Sequence, residues 1–450
     1  MIMHKAILLF ITMLWALSGQ AQDNGGIQSS VSDSLGKDRQ LDVGLQLLVQ
    51  GEVRNGGLDP NQAEEDGSNA DDHANFVMER TRLIIGYKQP SLETKLTMQH
   101  IGVWGEGGRG TTNVYEAWAK LSANCGIFAQ IGRQVLSYDD ERIIGPDDWA
   151  MAASSHDVLR LGYEGHNHQA HLILAYNQNG ANTEGGTYYS GGAQPYKTMQ
   201  TLWYHYDVPK TALGASLLFM NIGMQAGTPD DDPHTEHQQL LGGYVKYAPK
   251  YWQLEGSYYR QMGKDENGMD IKAWMASIKA EWKPTDRYSM EAGYDYLSGD
   301  EYFAVPSHGA IGLTQHTVIR GFSTVYGSHH KFYGAMDFFY VTTYVNGFSP
   351  GLQNLYWGNT YKPMNNLSLT ARYHYMGITA DLTDIDKTLG HEIELEASYN
   401  FMKDVKLDAG FTYMTGTKTM ERLKRASGDG RLCWGWISLV ISPHLFSTKW

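Results

Sequence analysis

Eight cations stand where strand alternation turns them to a wet face: Arg80, Arg82, Lys95, Lys120, Arg160, Lys246, Lys279 and Arg372. Arg80 and Arg82 are two residues apart, so an extended chain projects both from the same side. A guanidinium donates two parallel hydrogen bonds to a carboxylate. It can therefore replace the water that a carboxylate-bearing solute loses in a constriction. Rings of Arg or Lys select anions in pores on this principle. Acids share the same kind of face: Glu116, Glu392, Glu394 and Glu396, together with Glu93, Glu255, Glu281, Glu291, Asp295 and Asp408. The expected surface is mixed and laterally split. Any one cation in it serves either a carboxylate ligand or a neighbouring acid, while Arg80, Arg82, Arg160 and Arg372 as a group read as an anion-attracting set.

Other chemistry finds no supporting pattern. His166, His168, His171 and the pair His329–His330 lack the convergent spacing of metal ligands. The acidic clusters Glu64–Asp66, Asp71–Asp72 and Asp230–Asp232 are unlike a dedicated Ca²⁺ loop and read as solvated charge. No nucleophile elbow, phosphate loop or dinucleotide loop is present. The sequence therefore predicts no cofactor, no metal site and no enzyme. A net charge of −13 argues against nucleic acid as a partner.

The elements that must carry these residues have a period of two. Leu83, Ile85 and Tyr87 oppose Arg80, Arg82 and Gly86. Leu92, Leu96 and Met98 oppose Glu93, Lys95, Thr97 and Gln99. Ile393, Leu395, Ala397 and Tyr399 oppose Glu392, Glu394 and Glu396. About eighteen such segments follow one another, beginning near residues 41, 76, 92, 112, 126, 157, 169, 199, 211, 238, 251, 271, 288, 352, 366, 390, 405 and 432. Their connections alternate in length. Lys88–Ser91, Ser122–Gly126, Glu164–His168, Asp207–Lys210, Ala248–Lys250, Lys283–Arg287, Lys362–Asn366 and Met402–Asp404 are short. Arg54–Asn75, Ser137–His156, Asn177–Lys197, Gln225–His237, Thr415–Arg431 and a stretch over 298–351 are long. An even number of amphipathic strands with short turns at one end and long loops at the other is the pattern of an all-β, transmembrane antiparallel barrel, with the short turns periplasmic and the long loops extracellular. Pairing Tyr87 with Leu92 across the first short turn places Arg82 opposite Thr97 and Arg80 opposite Gln99. Pairing Tyr247 with Trp252 places Lys246 opposite Gln253.

Composition agrees. The chain has 29 Tyr, 12 Trp and 50 Gly against 13 Pro, the residues of membrane interfaces and tight turns. Lys5, the apolar run Ile7–Leu17, and Gly19 and Ala21 before Gln22 read as a signal peptide over 1–21. A periplasmic segment over 22–40 and a barrel domain over 41–450 complete the expected organisation. Two cysteines, Cys125 and Cys433, are left unassigned.

Residues 131–163 read IGRQVLSYDDERIIGPDDWAMAASSHDVLRLGY, and residues 321–339 read GFSTVYGSHHKFYGAMDFF. These strings, with a weaker match at 351–375, resemble the alginate-export family of outer-membrane porins. The resemblance implies an eighteen-stranded barrel whose polar, arginine-bearing lumen passes an anionic polysaccharide. It singles out Arg133, Arg142, Asp147 and Trp149. By parity Arg133 points outward with Ile131, and a bulge near the rim would be needed to turn it into the lumen. Arg142, Asp147, Asp148 and Trp149 belong to a long loop that either folds inward or packs on the wall. The inward acids depart from a strongly cation-lined pore and put alginate itself in question.

The expected function is passive passage of an anionic polysaccharide or oligosaccharide across the bacterial outer membrane. A general or carbohydrate-type porin is the first alternative; a barrel-embedded hydrolase, its pore sealed by the 298–351 stretch, is the second. Expected partners are outer-membrane lipids, the solute and the barrel assembly machinery. The topology is open to cysteine labelling of intact cells, in a background lacking Cys125 and Cys433. Ser68→Cys and Asp231→Cys should react with an impermeant maleimide, and Gln89→Cys and Asn365→Cys should not. The reverse pattern would invert the barrel.

Overall fold

The computed structural model describes residues 38–55, 73–108, 110–181, 183–184, 186–300, 318–340, 344, 349–382, 384–424 and 432–450. The signal peptide, residues 22–37, Ser68 and the clusters Glu64–Asp66 and Asp71–Asp72 lie outside them.

Strands β1 (Gln40–Asn55), β2 (His73–Gln89), β3 (Leu92–Val103), β4 (Thr111–Ser122), β5 (Ile127–Gln134) and β6 (His156–Glu164) form the first third of the wall. Next come β7 (His168–Tyr176), β8 (Thr198–Asp207), β9 (Leu213–Thr228), β10 (Asp231–Tyr247), β11 (Trp252–Lys264) and β12 (Asp270–Thr285). The last third holds β13 (Tyr288–Leu297), β15 (Leu352–Met364), β16 (Leu367–Gly377), β17 (Thr388–Met402), β18 (Val405–Gly416), β19 (Leu432–Ile441) and β20 (His444–Lys449). The two-residue β14 (Val318–Ile319) lies in a loop beside β12. A short helix, α1 (Lys418–Lys424), follows β18.

Each wall strand pairs antiparallel with its sequence neighbour, and β1 pairs with β2 on one side and with β19 and β20 on the other. Counting β19 and β20 as two lengths of one stave, the sheet is a closed barrel of eighteen strands. The seam is fastened at the short-turn end, where Arg39 and Trp450 exchange both backbone hydrogen bonds at 3.1 Å.

Burial runs opposite to that of a soluble sheet. Ile393 and Leu395 are 47% and 49% exposed, while Glu392 and Glu394 between and beside them are buried. Apolar side chains thus face out and charged ones face in, as a lipid-spanning barrel requires.

The sequence-derived register needs one correction. Tyr87 faces Thr94, Arg82 faces Gln99 and Arg80 faces Ile101; Lys246 faces Glu255. Both registers are shifted by two positions from the expected ones. Face assignments survive, because a two-residue shift preserves side-chain parity. Gln225–His237 is not a loop: β9 and β10 run on through it to a turn at Pro229–Asp230 and project beyond the other strands as a long hairpin. Cys125 and Cys433 are both free thiols, one in a short turn and one near the long-loop end of the wall.

Two long connections fold inward. Residues 135–155 and the described part of 318–350 pack against each other and against the inner wall, burying Leu136, Ile143, Ile144, Tyr333, Met336, Phe338 and Phe339 with wall residues Met199, Met220, Leu240, Met275, Met376 and Met414. The half of the lumen nearest the long loops is therefore an apolar core. An arginine on the lipid face should be far costlier than a small change inside. Leu395→Arg should cost about 2–4 kcal/mol in urea-driven refolding into vesicles, whereas inward Thr360→Ser should stay within about 0.5 kcal/mol. Equal costs would mean the faces are wrongly assigned.

Candidate functional site: a lumen crossed by two loops

The 135–155 loop leaves β5 at the long-loop end and reaches across to the far wall. At its near end Tyr138 meets His171 on β7 at 2.9 Å, and Asp139 accepts Trp203 Nε1 on β8 at 3.0 Å and Tyr259 OH on β11 at 3.4 Å. Burial raises the Asp139 carboxyl above its usual range, and hydrogen bonds from Ser216 and Trp203 partly offset the rise. In the middle, Arg142 is buried between Asp140 and Asp295 of β13, each at 2.9 Å, and its guanidinium lies 4.0 Å over the Phe332 ring. The approach to Asp295 Oδ1 is close but badly angled for a hydrogen bond.

The two loops are joined by backbone. Ile144 and Tyr326 form a parallel bridge, Ser328 N–H donates to Glu141, and Asp147 N–H donates to Ser328 Oγ at 3.1 Å. Gly145 and Gly327 stand at this junction because a side chain on either would strike Ser328 Oγ or the Arg142 carbonyl. Trp149 then stacks on His330 at 4.3 Å and meets Trp434 and Trp436 of β19 edge-on.

At its far end the loop lands on the arginine pair. Arg82 Nη1 reaches Asp148 Oδ1 at 2.7 Å, and Arg80 reaches the same oxygen at 3.3 Å. Arg80 also donates to the Asp148 and Ala150 carbonyls at 3.1 and 3.3 Å. Gln99 donates to the Ala152 carbonyl, Arg82 donates to Gln99, and the Arg82 guanidinium covers Tyr115 at 4.0 Å. Both arginines are almost fully buried. Of the two roles the sequence left open for each cation, a solute carboxylate or a protein acid, both arginines here take the second: they anchor a loop, and two positive charges share one carboxylate.

The remaining cations follow the wall. Lys95 pairs with Glu116 at 2.5 Å. Lys120 is 3.7 Å from Glu164 and lies 4.0 Å over the Phe128 ring. Arg160 also approaches Phe128, donates to Gln130 at 2.6 Å, and has no ion pair among the described residues. Across the barrel the balance reverses. Arg372 sits between Glu291 and Glu394, at 2.9 and 2.8 Å. Glu394 and Glu392 also accept the Ala335 and Met336 amides of the second loop. Glu396 and Asp408 extend this acidic side on β17 and β18, where Asp408 pairs with Lys406 at 3.0 Å. The lumen is thus split between a basic sector on β2–β6 and an acidic sector on β13–β18.

Arg133 stays on the outward parity of Ile131. It forks onto Asp157, its cross-strand partner, at 2.8 and 2.7 Å and donates to the Val114 carbonyl. The bulge nearby is on β4, where Tyr115 and Glu116 are buried in succession and only Glu116 keeps a partner on β3. It does not turn Arg133 inward. Sequence reading missed Asp140, Tyr333 and Asn354, loop and wall partners whose roles depend on the folded loops. It also missed the apolar core, though Leu217–Met220, apolar on both faces, carried a signal for it.

Because Asp148 holds both arginines, Asp148→Ala should release the loop end and uncover their charge. Single-channel recording should then show larger, noisier conductance and a shift toward anions. Unchanged conductance and selectivity would mean that this contact does not set the constriction.

A sequence-family model described as alginate export matches residues 109–388, more than half of the chain. No curated protein sequence matches it. Among solved structures, Pseudomonas aeruginosa OccK9 (OpdG) superposes with a TM-score of 0.59 at 13% identity, covering 90% of this chain and 98% of that one. Acinetobacter baumannii OccAB1 gives 0.58 at 14%, over 90% and 97%. P. aeruginosa OccK2 (OpdF), solved in complex with glucuronate, gives 0.58 at 12%, over 90% and 97%. At such identities the likeness shows the fold alone. The family match, the closed eighteen-stranded barrel and its inverted burial lead to one conclusion: the chain belongs to the alginate-export family and is an outer-membrane β-barrel channel.

Proposed function

We propose that this channel passes an anionic sugar chain, a uronic-acid polymer or its oligomers, and that the basic sector on β2–β6 is the surface it follows. One observation carries the reading: Arg80, Arg82, Lys95, Lys120 and Arg160 outnumber the carboxylates paired with them, and Arg160 has no acid within ion-pair distance among the described residues. A uronate needs two things along its path, donors for its carboxylate and flat apolar surface for its ring. Arg160 and Lys120, held over the buried Phe128 ring, supply the first. The family's association with alginate, a polyuronate, and the glucuronate bound by one structural neighbour lie in the same chemical class. The site residues act by position and charge; none is assigned a covalent role.

The acidic sector favours a second reading, a general carbohydrate porin. Opposed charge stripes make a transverse field that orients neutral sugars and water without excluding either. Planar-bilayer recording separates the two. On the first reading, wild-type channels prefer anions and are blocked by oligouronates. Arg160→Ala with Lys120→Ala should move the reversal potential toward cations and weaken that block. The effect should shrink at high salt, since fields in water are screened over about 8 Å at physiological ionic strength. A wild-type channel that prefers cations and ignores oligouronates at every salt concentration would leave the general porin.

A further inference from the structure

Among the described residues, the lipid-facing surface has one cluster of cations without ion pairs. Around the barrel, outward positions are apolar or aromatic through the membrane band, and charges on that face are rare. Glu79 accepts Trp104 Nε1, and Arg133 is matched by Asp157. The remaining outward lysines and arginines of the described strands fall together: Arg260 and Lys264 on β11 and Lys272 on β12. All three are exposed and none has an ion pair among the described residues. Register makes them neighbours. Lys272 stands opposite Met262, the outward residue between Arg260 and Lys264. Asp270 stands opposite Lys264 and weakens its field, so Arg260 and Lys272 carry the patch.

The patch lies where the apolar band ends. On β11 the outward sequence runs Trp252, Leu254, Gly256, Tyr258 and then Arg260; on β12 it runs Trp282, Ala280, Ile278, Ala276, Trp274 and then Lys272. Trp274 stacks on Tyr296 at 4.7 Å, so an aromatic ledge lies directly beneath the cations. The neighbouring strands change character at the same boundary. Leu202, Phe219 and Leu241 give way to Gln200, Asn221 and Gln239. These three amides are linked across β8, β9 and β10 by hydrogen bonds of 2.6 and 2.8 Å. The cross-strand row continues through Met262 to Lys272. An amide ladder ending in two cations, above an aromatic ledge and at the long-loop end, faces the outer leaflet's headgroups.

We infer that the outer face of β8–β12 binds a phosphorylated glycolipid of the outer leaflet. Arg260 and Lys272 hold its phosphate, and the amide ladder meets its sugar hydroxyls. A guanidinium fork suits a phosphate, and partial desolvation beside acyl chains strengthens the contact. The acyl chains lie over Leu241, Tyr258 and Trp274, which a free phosphate would leave uncovered. This is independent of the transported solute, because these side chains point away from the lumen.

The test uses the full-length protein in detergent, with bisphosphorylated lipid A, its enzymatically dephosphorylated form and inorganic phosphate as three probes. Native mass spectrometry counts bound lipid, and thermal unfolding reports stabilisation. Wild type should retain one or more bisphosphorylated lipids and unfold at higher temperature with them. The dephosphorylated lipid and free phosphate should do neither. Arg260→Gln with Lys272→Gln should weaken lipid binding about tenfold or more, with single-channel conductance unchanged. Lys210→Gln with Lys362→Gln, the same charge change at the opposite rim, should bind as wild type does. Equal binding by wild type and the Arg260/Lys272 variant, or equal binding of the two lipids, overturns the proposal. Should the double variant fail to fold, Arg260→Gln alone against Arg260→Lys decides: binding must fall in the first and be largely kept in the second.

Discussion

Backbone hydrogen bonding in a medium without water is the constraint on which the rest depends. Every N–H and C=O in the hydrocarbon must find a partner within the protein, and a sheet can do this only by leaving no edge. Here the closure is made by β1, which pairs with β2 along its whole length and with β19 and β20 on its other side. The break between β19 and β20 at Ser442–Pro443 falls near the short-turn end, and the Pro443 carbonyl still accepts Leu45 N–H. With the ring closed, alternation has only one outcome: one side chain in two faces lipid and the next faces the lumen.

That division sets the chemistry available inside. Charged groups excluded from the lipid face gather in the lumen, and most pair across adjacent strands, as Lys95 does with Glu116 and Lys279 with Glu255. The exceptions are informative. Arg142 and Asp295 are buried together because the first loop carries its arginine to the wall, and Arg80 and Arg82 are neutralised only by a carboxylate that arrives on that same loop. Ion pairs in this barrel therefore serve partly as latches for the segments that narrow it, and the charge presented to a solute is what remains once the latches are closed.

The apolar core inside the long-loop half explains why those segments stay inside. Loop backbone at membrane depth is tolerated where protein buries it. Leu136, Ile143, Ile144 and the aromatics of 332–339 bury apolar area against inward methionines, while the bridge at Ile144 and Tyr326 satisfies backbone groups that packing alone would leave unpaired. Methionine, unbranched and adaptable, suits a wall that must fit irregular loops.

The sequence by itself determined the strands, their faces and the end of the barrel at which the short turns gather, because a period of two and the length of connections are local properties that the membrane enforces strictly. Of the eighteen wall strands, β10 alone began well away from its expected residue, since Thr235–His237 alternates too weakly to show where a hairpin ends. Tertiary structure alone decided the two-residue registers of the tight hairpins, where a shift by one period leaves every face unchanged. It also decided the fate of the long loops. Whether Asp148 reaches Arg80 and Arg82 depends on how residues 135–155 pack against residues about 180 positions away, and no local pattern encodes that distance. Arg133 is the converse case: its parity was legible and the wall kept it outward. Net charge at the constriction was illegible for the same reason the loops were, because it is a property of pairs, and the pairs form only when the loops close.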